Sequence, residues 1–168
     1  MFVSIALLIL LQSCGFQLRG ADLGTLDLDY RIVGNINGGA SPTFLQFLAL
    51  LNESLEKAGA KKLSAADTLI EINGLSREEV AGAVNARVRL SEKSIVFVLN
   101  YRIIDIAGNI IIPDQRLEIE RTFRIDRNNL LASNGEQKII EAQLLRNLAL
   151  KVTTGLGLVL SDRSALSS

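Results

Sequence analysis

An α+β two-layer sandwich, with two helices packed on one face of a mixed sheet of about four strands, is the fold class that the sequence predicts. The elements run strand, helix, several strands, helix. Both helical stretches carry a single apolar stripe, and the strands alternate apolar with polar residues. Elements of this kind bury their apolar sides against one another and leave the far face of the sheet charged.

Leu26 to Val33 alternates, with Leu26, Leu28, Tyr30 and Ile32 on one face, as a half-buried strand does. Gly34 to Ala40 reads as a loop. Ser41-Pro42 then opens a helix over 42–58. Serine suits the N-cap, and proline suits the first helical position, where its missing N–H costs nothing. Phe44, Leu48, Leu51 and Leu55 form its apolar face, and Gly59 is placed to end it in the left-handed conformation.

Thr68 to Ile72 is a short strand that ends near Asn73-Gly74. In Val80 to Leu90, residues Val80, Val84, Ala86, Val88 and Leu90 share one face, and Asn85, Arg87 and Arg89 the other. Ser91-Glu92-Lys93 either turns the chain or continues an extended segment. Ser94 to Ile106 is rich in branched and aromatic residues and reads as a strand, with a hairpin turn at Ala107-Gly108-Asn109. Pro113 fits an edge position or a bulge.

Gln115 to Ile125 places Leu117, Ile119, Phe123 and Ile125 on one face. Arg121 falls among them, at a bulge or at the margin of the core. A second helix follows, capped by Ser133 or Asn134, with Ile140, Leu144, Leu148 and Val152 four apart, and runs to about 155. Residues 157–168 read as a flexible tail.

The chain has 168 residues, with 18 Lys plus Arg and 18 Asp plus Glu, and so no net charge. No bulk field draws it to nucleic acid or to an anionic surface, and an anionic ligand needs a local basic cluster. It has no His and no Trp and one cysteine, Cys14, so Cys/His metal sites, His-based triads and a structural disulfide are excluded. No G-x-S-x-G, S-x-x-K or P-loop spacing occurs. Carboxylate-only or Ser-Lys chemistry is formally open, but no acid pair has a motif behind it. The expectation is a protein without catalytic residues, metal or cofactor.

Cys14 ends an uncharged apolar run that begins Met1-Phe2-Val3 and closes Leu11-Gln12-Ser13. Its apolar part has the length of a secretory signal and is too short to span a bilayer, which takes roughly 20 residues. No positive charge precedes Arg19, where such signals usually carry one. Leu11-Gln12-Ser13-Cys14 resembles the lipobox of bacterial lipoproteins, which implies a signal peptide at 1–13, lipidation of Cys14 and a tether over 14–26. Several acyl chains make such an anchor effectively permanent. Gly15, in place of an Asp, is compatible with export to the outer membrane.

Cys14-Gly15-Phe16-Gln17-Leu18-Arg19-Gly20 resembles the C-G-[FW]-x-L-R-[GD] start of the LPS-assembly lipoprotein LptE family, also called rare lipoprotein B. The element order over 27–156 is similar to that family's. So are the R-x-F-R-x-D run at Arg121, Phe123, Arg124 and Asp126 and the Leu131-Ala132-Ser133-Asn134-Gly135-Glu136 start of the last helix. The resemblance implies a non-catalytic lipoprotein, anchored on the periplasmic side of the outer membrane. There it would plug the β-barrel LptD, assist its assembly and take part in moving lipopolysaccharide (LPS) to the cell surface. The alternative is an auxiliary lipoprotein of another ABC-type envelope lipid-transport system. Members carry a lysine near the start of the last helix where this chain has Ser133, so the resemblance implies no basic contact at that point.

LPS phosphates call for positive donors, and the planar fork of Arg suits them. Arg87 and Arg89 lie two apart on one face of an extended segment with Lys93 close by, and these three are the candidate LPS contact. Arg116, Arg121, Arg124 and Arg127 are interleaved with acids and read as surface pairing or partner contact.

Overall fold

The computed structural model describes residues 26–34, 41–84, 90–126 and 129–166. Strand β1 spans Asp29–Gly34, helix α1 Pro42–Lys57 and strand β2 Lys61–Lys62. Strands β3 (Thr68–Val84), β4 (Leu90–Asp105) and β5 (Ile110–Asp126) follow, and helix α2 spans Leu130–Leu166. The sheet has five strands in the order β2-β1-β3-β4-β5. β1 pairs in parallel with β2 and β3, and the β3–β4–β5 meander is antiparallel. The α+β sandwich therefore holds, with one more strand than expected. The extra strand, β2, is two lysines long, too short to show a period in the sequence.

α1 is built as its caps dictate. The Phe44 N–H donates to Ser41 Oγ at 3.2 Å. At the other end Gly59 takes φ 102°, and the Gly59 and Ala60 N–H groups donate to the carbonyls of Glu56 and Leu55. That pair of bonds is the Schellman termination, which favours glycine because a side chain at positive φ is strained.

The core lies between the helices and one sheet face. Tyr30, Phe47, Leu51, Leu55, Ile70, Ile95, Phe97, Leu99, Leu145 and Leu148 are its largest members. The Tyr30 hydroxyl donates to Asn52 Oδ1 at 3.1 Å, and Thr153 of α2 donates to Ser54 Oγ of α1 at 2.8 Å, which ties the two helices together. α2 is long and apolar enough to cross a membrane by length and composition. Its Ile140, Leu144, Leu148, Ala149, Val152 and Leu156 are instead buried in the domain.

Among the described residues the sheet has four register shifts, two of them at Asn73-Gly74 and Pro113-Asp114. Register shifts between Ile72 and Gly74, so Asn73-Gly74 is a β-bulge rather than a strand end. Before it the even residues Ile70 and Ile72 face the helices; beyond it the odd residues Leu75, Arg77 and Glu79 do. Another bulge falls at Pro113-Asp114, where three steps of β5 oppose two steps of β4. A proline removes a ladder donor, and a bulge tolerates that loss.

Ser91-Glu92-Lys93 lies inside β4 and does not turn the chain. The loop over 35–40 lies outside the described residues, as does the segment 85–89 within the expected Val80–Leu90 strand. Arg121 sits in unbroken register opposite Ile95, at the margin of the helix-facing side, and donates to Gln143 Oε1 of α2 at 2.8 Å.

α2 is longer at both ends than its apolar repeat suggested. Asn129, not Ser133 or Asn134, caps it: Asn129 Oδ1 accepts from the Ala132 N–H at 3.2 Å. Ser133 is buried in the first turns, and its Oγ accepts from the Asp126 N–H at 3.0 Å. Residues 156–166 continue the helix instead of fraying. Arg163 anchors that end by donating to the Ile110 carbonyl at 2.9 Å.

Candidate functional site

Of the four residues named from the sequence, Cys14, Arg87 and Arg89 lie outside the described residues, as does Arg127. Lys93 is described. As an odd residue of β4 it points to the helix-facing side, where its ammonium is bonded to Glu79.

Glu79 is one member of a charged network at the distal end of the sheet, where the apolar core runs out. Arg77 Nη2 donates to Glu141 Oε1 of α2 at 2.7 Å and to Glu79 Oε2 at 3.2 Å, and Gln137 Nε2 reaches the same Glu141 oxygen at 3.0 Å. The hydrogen bond from Lys93, with a further contribution from Arg77, holds the Glu79 carboxyl below the usual glutamate range. Glu141 chiefly raises the Arg77 guanidinium, which stays charged throughout. The network bridges β3, β4 and α2 and balances two cations with two anions. Lys93 would meet a phosphate in competition with Glu79, which already holds its ammonium.

Sequence reasoning missed Arg77, Glu79 and Glu141. Arg77 and Glu79 reach the helix side only because the Asn73-Gly74 bulge inverts the parity of β3. The Asn-Gly pair was the visible signal, and it reads equally as a turn.

The opposite sheet face is polar and paired. Arg102 bridges Glu71, Arg116 pairs with Glu118, and Arg124 Nε lies 3.2 Å from Glu92 Oε1. Ser94 and Thr122 share a hydrogen bond of 2.8 Å across β4 and β5. Beneath this layer Val96 and Val98 are buried, shielded by their long neighbours Glu78, Glu118 and Glu120 in register. Of the charges that interleave along β5, Arg116 and Arg124 make ion pairs within the sheet and Arg121 bonds to α2.

A groove of about 340 Å³ lies between the helices, lined by Leu50, Glu53, Ser54, Lys57, Arg146 and Leu150. Its one carboxylate, Glu53, is held below the usual range by Lys57 and is no proton donor near neutral pH. Among the described residues no cluster of His, Cys, Asp and Glu could hold a metal.

Solved structures resemble the whole domain. A rare lipoprotein B from Shewanella oneidensis matches with TM-score 0.63 at 15% identity, over 83% of this chain and 99% of that one. The chain has the fold of rare lipoprotein B. A lipoprotein B from Nitrosomonas europaea matches with TM-score 0.68 at 17% identity, over 88% of this chain and 93% of its own. A minor lipoprotein from Acinetobacter baumannii gives TM-score 0.60 at 14% identity, over 77% and 90%. No protein-family model and no curated protein matches the sequence.

Proposed function

We propose that this chain is a lipoprotein of the LptE type. It is lipidated on Cys14, held at the periplasmic side of the outer membrane, and works without catalysis. In this reading it plugs the LptD β-barrel, assists its assembly and takes part in LPS transport to the cell surface. The observation that carries the reading is the whole-domain likeness to rare lipoprotein B in a chain that also holds the Cys14–Gly20 heptamer.

The physics supports it. A barrel lumen is polar. The free sheet face of this domain offers paired charges rather than a continuous apolar surface, so it can lie against such a wall without stranding buried charge. Arg87, Arg89 and Lys93 are the proposed phosphate contact for LPS, with Lys93 exchanging Glu79 for the ligand.

Affinity capture of the chain from detergent-solubilised outer membrane tests the partnership. Recovery of a large β-barrel in equal amount is expected. Recovery of an inner-membrane transporter complex instead would favour the ABC-linked alternative and overturn this reading.

A further inference from the structure

β5 is the last strand of the sheet, and among the described residues no element pairs with its outer edge. An uncovered edge of this length is a template for another strand. Which of its groups are free to pair follows from one bond. Asp126 donates its N–H to Ser133 Oγ, away from β4. Register on β5 is unbroken from Gln115 to Asp126, so alternation directs the N–H and C=O of every even residue outward. Pro113 has no N–H to offer, and the Ile110 carbonyl already accepts from Arg163. The open edge therefore runs from Arg116 to Arg124.

We propose that a second copy of this chain pairs with that edge, β5 antiparallel to β5 about a two-fold axis at Arg121. Charge complementarity selects both the occupant and the register. Centred on Arg121, Glu118 meets Arg124 of the other copy and Glu120 meets Thr122 on the polar face, each twice; the one like pair is Arg121 with Arg121 at the axis, where each guanidinium is held by Gln143 of its own α2. On the helix-facing side Ile119 meets Phe123, and Leu117 meets Ile125. Leu117, Ile119 and Ile125 are only half-buried in the single chain.

A two-residue slip in either direction spoils the match. One slip sets Arg116 against Arg124 and Glu120 against itself. The other sets Glu118 against Asp126 and Arg121 against Phe123, which offsets its one gain, Glu120 against Arg124. Like charges directly opposite each other destabilise a ladder, so the charges on this edge act as a register selector. The four hydrogen-bonded pairs of the favoured register (118 with 124 and 120 with 122, each twice by symmetry) exchange two bonds apiece. The pairing joins two five-stranded sheets into one and is a state of the free chain, separate from the one-to-one assembly with a barrel proposed above.

Sedimentation equilibrium of the full chain in density-matched detergent tests the proposal. A monomer–dimer equilibrium is expected. Thr122→Pro removes an outward donor while keeping the backbone ladder to β4 and should abolish the dimer; Thr122→Val, which loses only the Ser94 side-chain bond, should keep it. Glu118→Arg should weaken it about tenfold, because two like-charge pairs replace two opposite ones. Combining Glu118→Arg with Arg124→Glu exchanges the partners and should restore it.

A register reporter is independent of affinity. In a Cys14→Ser background, Arg121→Cys supplies the only thiol. The axis brings its two copies to about 4.5 Å between Cα atoms, within disulfide reach. Oxidation should cross-link Arg121→Cys and not Ala81→Cys, which lies away from this edge. A chain that stays monomeric at about 1 mM overturns the proposal. So does a dimer indifferent to Thr122→Pro, or an edge that pairs only with a strand of another protein.

Discussion

Leu148 and Leu150 stand two residues apart in α2, yet the fold assigns them opposite surroundings. Leu148 is 0% exposed and Leu150 is 50% exposed. Leu148→Ala withdraws three carbons from full burial. At about 0.8 kcal/mol for each, the transfer loss is near 2.4 kcal/mol, and the cavity left behind adds to it. The expected destabilisation is about 3–5 kcal/mol, or roughly 10 °C in Tm for a domain of this size. Leu150→Ala should stay within about 0.5 kcal/mol, since it empties no core site. Both substitutions gain the same small helix propensity, so the difference isolates packing. Urea titration followed by far-UV circular dichroism measures it. Equal losses at the two positions would refute the placement of α2 as a core helix of this domain.

Other expectations follow from the same packing. Burial, with a smaller contribution from Glu56, pushes the Tyr30 hydroxyl up to about 12. The fold thus favours the neutral phenol, and that stability is complete below pH 10 and lost as pH rises through about 12. Tyr30→Phe should flatten this alkaline limb at a cost of about 1 kcal/mol for the lost bond to Asn52.

Glu79 titrates below the ordinary glutamate range, so its contribution is present above that range and lost as pH falls through its lowered value. Glu79→Gln should remove that part of the acid dependence, with less than about 1 kcal/mol lost at neutral pH. A Cβ at Gly82 would lie 2.9 Å from the Glu92 carbonyl oxygen, a backbone atom. Gly82→Ala should therefore cost about 1–3 kcal/mol and loosen hydrogen-exchange protection at the distal β3–β4 pairing first. Charge reversal at both Arg87 and Arg89 should weaken binding to purified LPS while the circular dichroism spectrum is kept; unchanged binding removes the contact.

Much of this molecule is legible in its sequence because local signals and tertiary packing agree. Ser41-Pro42, Gly59 and Gly108 act as their chemistry requires, and Pro113 marks a bulge on an edge strand. Legibility fails where a local signal has two physical outcomes. Asn73-Gly74 suits a turn and a bulge alike, and only pairing with β4 decides between them.

The α2 boundaries escape the local signals for a related reason. Ser133 is a good cap in isolation, but its hydroxyl is recruited by Asp126, and Asn129 caps the helix four residues earlier. Past Leu156 the apolar repeat weakens, yet the helix continues to Leu166, tied down by Arg163 on the Ile110 carbonyl. The site shows the same limit. Lys93 was legible as a cation, but its engagement with Glu79 depends on a register that composition does not reveal.

Anchoring at the membrane would rest on Cys14. Mass spectrometry of the N-terminal peptide from native membranes tests it most directly. Cys14 should be the first residue, carrying a thioether-linked diacylglyceryl group and an acylated amine. An unmodified Cys14 with Met1 to Ser13 still attached would contradict it.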